Sequence, residues 1–179
     1  MNDIFEQHFG PQGPFPLREP LFHEVEAFYA EVKKSHAHRA IGQLIEKITG
    51  ASEEKLGGLP LTVLRHGQMY LLEFINCAPK VETASQHVIH LEKMITSING
   101  DEAWDRVTLS EPTFNQFNRY YDEAEKGNAN AAMLGLIAEL SGVNRLALQK
   151  MPYTKYREAE EYLRAFLDFF PVKTLGKTS

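Results

Sequence analysis

A chain of 179 residues, 43% hydrophobic and carrying a formal net charge of −5, is long and apolar enough to bury a core as one domain or two small ones, which excludes a disordered chain. The acidic balance offers no basic footprint for nucleic acid. The single cysteine, Cys77, rules out an internal disulfide and any cysteine-rich zinc module, and it fits a reducing compartment as a small buried apolar side chain. No stretch approaches the roughly 20 apolar residues of a membrane span, and the opening Met1-Asn2-Asp3-Ile4-Phe5 lacks a basic region followed by an apolar one, so a cytosolic location is expected.

Taken in order, residues 1–14, which run through Gly10-Pro11-Gln12-Gly13-Pro14, read as a mobile arm. Phe15-Pro16-Leu17 is a short extended run, either an edge strand or a simple lead into the next element. Leu21, Phe22, Val25, Phe28, Tyr29 and Val32 then recur at steps of three and four, the spacing of one apolar helix face, and Pro20 suits the first turn of that helix. A second helix is expected from about Ala37, with Ala40, Ile41, Leu44, Ile45 and Ile48 inward and Gly50 ending it in a left-handed cap. Ser52 followed by Glu53 and Glu54 reads as the N-cap and acidic first turn of a short third helix. Pro60 separates that turn from a last helix carrying Leu64, Tyr70, Leu71, Phe74 and Ile75, which Pro79 stops.

Beyond this point Val81, Ala84, Val88, Leu91, Ile95 and Ile98 alternate steps of three and four, the narrow seam of a connecting helix ended by Asn99-Gly100. The seam docks on the protein's own core or, in the alternative, joins two copies as a homo-oligomer. Arg106-Val107-Thr108-Leu109 is the second short extended run.

The remainder repeats what came before. Leu17-Arg18-Glu19-Pro20-Leu21-Phe22 reads like Leu109-Ser110-Glu111-Pro112-Thr113-Phe114, an offset of 109 − 17 = 92 residues. The offset holds without a gap: Leu44-Ile45 meets Leu136-Ile137, Gly50 meets Gly142, Ser52 meets the cap position Asn144, Leu59-Pro60 meets Met151-Pro152, and Tyr70-Leu71 meets Tyr162-Leu163. The expected fold is therefore mainly α, two tandem units of three to four helices at 15–80 and 107–172, joined by the connecting helix and turn at 81–106, with 173–179 as a mobile tail and Pro171 stopping the final helix.

The chemical candidates are weak. The seven histidines, His8, His23, His36, His38, His66, His87 and His90, all lie in the first half, and the repeat sets asparagine or glutamate opposite four of them, so no shared unit chemistry depends on imidazole. His87 and His90, three apart on the expected helix, are the one pair placed to clamp a metal, with Glu82 or Glu92. No nucleophile elbow, phosphate loop or dinucleotide fingerprint is present. Glu19 and Glu111 each precede a proline at a helix start, where an anion beside the positive end of the helix dipole explains them as capping groups. No catalytic, cofactor or metal residue is therefore assigned. Phe28, Tyr29, Tyr70, Tyr120, Tyr121 and Tyr162 are the candidate partner-binding residues, because amphipathic rings left at a surface groove act as binding anchors.

The repeated sentence, an extended lead, Leu-x-Glu-Pro, a helix, a Leu-Ile run closing on Thr-Gly or Ser-Gly, then Leu-Pro or Met-Pro and a Tyr-Leu helix, resembles the tail assembly chaperones of long-tailed bacteriophages over about residues 15–79 and again 107–171. The resemblance implies a non-enzymatic protein of the host cytoplasm, without a cofactor, that binds the tape measure protein, keeps it soluble, helps recruit tail-tube subunits and is absent from the mature virion. This chain departs from that family's pattern in carrying the sentence twice. A helical regulatory or adaptor protein is the alternative, and a form of it associated with nucleic acid would need a clustered basic face where only Lys33-Lys34 and scattered single charges are visible. A metal-dependent enzyme built on His87 and His90 is the third reading.

Overall fold

Apolar residues at helical spacing form helices over most of the chain in the computed structural model, which describes residues 3–167. The helices are α1 (Asp3–Phe9), α2 (Phe22–Val32), α3 (Ala37–Thr49), α4 (Glu53–Gly57) and α5 (Leu61–Ile75), followed by strands β1 (Gln86–Thr96) and β2 (Ala103–Ser110), then α6 (Phe114–Ala124), α7 (Ala129–Ser141), α8 (Arg145–Leu148) and α9 (Tyr153–Leu167). The fold is mainly helical with one small antiparallel sheet. Adding 92 to the first residues of α2, α3, α4 and α5 gives the first residues of α6, α7, α8 and α9, and the last residues of α2, α3 and α5 give those of α6, α7 and α9.

The chain divides into two compact units. Among the described residues one comprises 3–77 with Gln149–Tyr156, the other Ala78–Leu148 with 157–167. In the first unit α2 and α3 pack side by side through Phe22, Val25 and Phe28 on one helix and Ala40, Ile41, Leu44 and Ile45 on the other, all buried. Gly50 closes α3 at φ 69°, the left-handed conformation that glycine adopts without a Cβ clash, and the Ser52 hydroxyl accepts from the Lys55 N–H to start α4. Pro20 lies ahead of α2 and not in its first turn, because Leu21 is still extended at ψ 158°.

The start of α2 is held by a charge. Glu24 is 3% exposed; its carboxylate accepts from the Leu21 N–H at 2.8 Å and takes both guanidinium nitrogens of Arg18 at 2.8 Å each. Burial pushes this carboxyl up, yet the Arg18 and Leu21 hydrogen bonds and the nearby positive charge outweigh it and hold it below the usual range. The Arg18 guanidinium is raised in turn by its bond to Glu24.

Residues 3–9 are not an arm. α1 packs against α5, with Phe5 and Phe9 buried and the Phe5 ring 4.8 Å from Tyr70. Gly67 allows this: a Cβ there would lie 2.9 Å from the Phe9 Cζ. A seven-residue helix cannot persist on its own; two phenylalanines on one face anchor it.

The second unit overturns the connecting helix. Residues 86–96 form β1, paired antiparallel with β2 in the register His87↔Leu109, Ile89↔Val107 and Ile95↔Trp104, with an irregularity between His90 and Ile95. Ile89, Leu91, Val107 and Leu109 are buried, whereas Val88 and Ile98, two members of the expected seam, are 38% and 70% exposed. Alternation at period two competes with the three-and-four spacing in this segment. β-Branched Val88, Ile89, Ile95 and Thr96, with a partner strand available at 106–109, decide for the strand. Asn99-Gly100 belongs to the hairpin turn, where Gly100 has φ 73°, Ser97 N–H donates to the Glu102 carbonyl at 3.0 Å and the Ser97 hydroxyl bonds the Asp101 carboxylate. The first extended run, Phe15-Pro16-Leu17, makes no strand, so only the second is one.

α7 packs on β2 as well as on α6, and it is apolar almost all round, with Ala132, Met133, Leu134, Leu136 and Ile137 buried. α3 has Gly42 where α7 has Leu134, which is fully buried. Gly142 ends α7 at φ 69°, and the Asn144 side chain caps α8 through the Leu146 N–H at 2.9 Å. Pro171 and the tail 173–179 lie outside the described residues.

Candidate functional site

An amphipathic helix normally covers its apolar stripe, but α6 has no buried residue. Thr113 and Gln116 cap its start reciprocally: the Thr113 N–H donates to the Gln116 side chain at 2.8 Å and the Gln116 N–H to the Thr113 hydroxyl. Along one side run Phe114, Phe117 and Tyr121, with ring centroids 6.4 Å and 4.7 Å apart, and Tyr120 meets Tyr121 edge-on at 5.2 Å. Phe114 is 72% exposed, while Phe22 at the matched position of α2 is 3% exposed.

Beside this ladder, α6 and α7 enclose a groove lined by Arg119, Tyr120, Ala131, Gly135, Glu139 and Arg145. Small residues on α7 leave the floor low. The walls are tied by charge: Glu139 accepts from Gln116 at 3.1 Å and from the Arg119 guanidinium, and Arg145 donates to the Ala131 carbonyl at 2.8 Å. The first unit has a groove in a different place, between α3, α4 and Leu64 of α5, lined by Arg39, Gln43, Glu46, Glu53 and Leu56 among others and by no residue of α2. Matched positions 53 and 145, which line one groove each, carry opposite charges.

The expected aromatic residues do not gather at one place. Tyr29 and Tyr121 are exposed at 38% and 36%, Tyr120 is half-buried on the groove wall, and Tyr70 is half-buried between Phe5 and Phe74. Burial raises the Tyr70 hydroxyl pKa, helped by the charges of Glu19, Glu73 and Glu6. Phe28 is buried at 8% and Tyr162 at 1%; Tyr162 stacks on His87 at 5.2 Å and donates to the Ala84 carbonyl at 2.8 Å, and burial raises its pKa. These two rings are core. Phe114 and Phe117 were not among the expected residues, because their helical spacing gives no sign of which stripe remains uncovered.

His87 and His90 do not share a face. Three residues apart on a strand they point to opposite sides, and His87 is taken by the Glu158 carboxylate at 3.0 Å. No group of three or more His, Cys, Asp or Glu is placed to hold a metal ion among the described residues, and no helix there is long and apolar enough to cross a membrane. Cys77 is half-buried. Glu19 does not cap its own helix: its carboxylate accepts from the Thr154 N–H at 2.7 Å and from the Thr154 hydroxyl, so it caps α9.

Neither a curated protein nor a solved structure matches the chain. Residues 88–168 match the family model described as phage tail assembly chaperone proteins, E, or 41 or 14. The matched stretch begins inside β1, within the segment that sequence spacing assigns to a connector, and takes in the hairpin together with α6 to α9. Over that stretch, a little under half of its length, the chain is similar to the phage tail assembly chaperone family.

Proposed function

We propose that this protein is a tail assembly chaperone that binds the tape measure protein in the cytoplasm of the infected cell, keeps its apolar helix faces covered before the tail tube polymerises around it, and leaves before the virion matures. The observation that carries the reading is the coincidence of the family match with an uncovered aromatic helix: α6, inside residues 88–168, exposes Phe114 and Tyr121 beside the groove walled by Tyr120. A long helical partner presents apolar residues at helical spacing, and a groove with a small-residue floor and charged rims receives such a face. The reading requires no catalysis and no cofactor. It extends to the first unit through the 92-residue offset, which relates the helix starts of the two halves. Two tandem copies of the domain would present two related grooves and gain avidity when both engage one partner, with recruitment of tail-tube subunits falling to whichever surface the tape measure protein leaves open.

Co-expression with the tape measure protein of the same phage tests this. A soluble complex that Tyr121→Ala and Gly135→Leu both weaken, with this chain missing from purified particles, is the expected result. A tape measure protein that stays insoluble and unbound, or this chain recovered in finished particles, overturns the reading.

A further inference from the structure

The first unit contains a contact whose counterpart stands unmade. The segment Gln149–Tyr156 docks on the head of α2: the Phe22 N–H donates to the Met151 carbonyl at 2.9 Å and the Tyr153 N–H to the Pro20 carbonyl at 2.9 Å. Leu21 and Pro152 form an isolated antiparallel bridge, the Glu19 carboxylate caps α9 through Thr154, and the Phe22 and Tyr156 rings meet at 4.3 Å. This is a head, Glu19-Pro20-Leu21-Phe22, received by a hook, Met151-Pro152-Tyr153-Thr154.

Each part has a double at the 92-residue offset. The second head is Glu111-Pro112-Thr113-Phe114 and the second hook is Leu59-Pro60-Leu61-Thr62. The glutamate, both prolines, the phenylalanine and the threonine are kept. Yet Glu111, Thr113, Pro60 and Thr62 are exposed, and Phe114 and Leu61 are 72% and 62% exposed. α5 also starts on Pro60 without a side-chain cap and without an acid in its first turn, leaving the positive end of a 15-residue helix open to an anion. The Glu111 carboxylate is the complementary charge.

We propose that the free head at 111–114 is received by the free hook at 59–62 of a second copy of this chain. Glu111 then caps α5 of the neighbouring copy through the Thr62 N–H and hydroxyl, and the Phe114 N–H donates to the neighbour's Leu59 carbonyl. The Leu61 N–H of the neighbour donates to the Pro112 carbonyl, and Phe114 is covered by Leu61 and Leu64. The contact is heterologous, so each copy offers one head and one hook and assembly continues until a ring closes or an open array forms. It rests on residues at matched positions and not on the tail assembly reading, and because it covers Phe114 it leaves Tyr120 and Tyr121 of α6 to that reading's partner.

Light scattering on the full chain over a wide range of protein concentration tests the proposal. The mass of the native chain is expected to rise above that of one copy with concentration, whereas Phe114→Asp and Leu61→Asp, both at exposed positions, keep the native circular dichroism and remain single copies. Mixing the two variants restores one intact head and one intact hook, and a species of two copies that grows no further is expected. Thr62→Val, which keeps the side-chain shape and removes the hydroxyl, weakens association about tenfold, the loss that a charge-assisted hydrogen bond of about 1.5 kcal/mol represents. A native chain that stays a single copy throughout, association that survives either aspartate, or a mixture that fails to pair overturns the proposal.

Discussion

Phe22 and Phe114 occupy matched positions at the starts of α2 and α6, and alanine at each separates covered from uncovered aromatic surface. Phe22 is 3% exposed and packs against Tyr156 in a tilted pair with ring centroids 4.3 Å apart. Truncation removes about 100 Å² of buried apolar surface, about 2.5 kcal/mol at 25 cal/mol per Å². The ring pair adds about 1 kcal/mol, which brings the total into the range of about 3–5 kcal/mol found for buried phenylalanine. Phe114 is 72% exposed, so about a quarter of the same area counts and the loss is about 0.5–1 kcal/mol. Urea unfolding followed by circular dichroism reads the difference. With a slope of about 2 kcal/mol per M, Phe22→Ala lowers the midpoint by about 2 M and Phe114→Ala by less than about 0.5 M. The titration belongs at low protein concentration, where no second copy covers Phe114, and is fitted for each of two units where the transition shows more than one step. Costs within about 1 kcal/mol of each other would refute the reasoning, since the surface of Phe114 would then be as covered as that of Phe22.

Arg18→Ala leaves the Glu24 carboxylate buried without its bidentate partner; with Arg18 itself about half exposed, the expected loss at neutral pH is about 1.5–3 kcal/mol by calorimetry. Because the Glu24 carboxyl is lowered in the folded protein, its contribution is fully present above the unfolded carboxyl range near 4.3 and disappears as pH falls through the folded value, so the gap between native and Arg18→Ala chains should close in acid and not in alkali. Gly67→Ala gains about 1 kcal/mol of helix propensity but drives a methyl into the buried Phe9 ring at about 1–3 kcal/mol; hydrogen exchange should show protection lost at Phe5–Phe9 with β1 and β2 unchanged. Tyr162→Phe removes the hydrogen bond to the Ala84 carbonyl for about 1 kcal/mol, and Tyr162→Ala costs about 3–5 kcal/mol, whereas Tyr29→Ala and Tyr121→Ala on exposed rings stay below about 1 kcal/mol as read by thermal unfolding.

The helices were legible because their punctuation is local. Gly50, Gly142, Ser52 and Asn144 act through bonds to residues at most a few positions away, and no distant partner can overrule them. The hairpin was not legible for the opposite reason. Residues 86–96 satisfy helical and strand periodicity at once, and the choice depends on pairing with 103–110. The apolar residues all round α7, Leu134 among them, were a visible signal, since such a helix must be covered on more than one side. Glu19 shows the same limit: a glutamate before a proline at a helix start reads as a cap for that helix, but its carboxylate reaches Thr154, 135 residues away. Of the candidate binding residues, spacing identified rings and could not tell Tyr162, sealed in a core, from Tyr121, at the surface.

Position 70 and its match 162 explain how similar helices come to carry different covers. Tyr70 on α5 packs against Phe5 of α1, and Tyr162 on α9 against His87 of β1; each also meets a phenylalanine edge-on four residues later, at 5.0 Å and 5.2 Å. The element that precedes each helical set thus seals the last helix of its own unit, a short helix in one and a hairpin in the other. Neighbouring positions are adjusted to the cover: Gly67 clears room for the Phe9 ring, where the matched Ala159 is buried without one, and Glu158 supplies His87 with a carboxylate where position 66 is a histidine. A cover is therefore not exchangeable between units without its seat. Placing glutamate at 66 or alanine at 67 would not turn α5 into a surface for the hairpin, because the ring at Tyr70 is already occupied by Phe5 and the helix α1 that carries it.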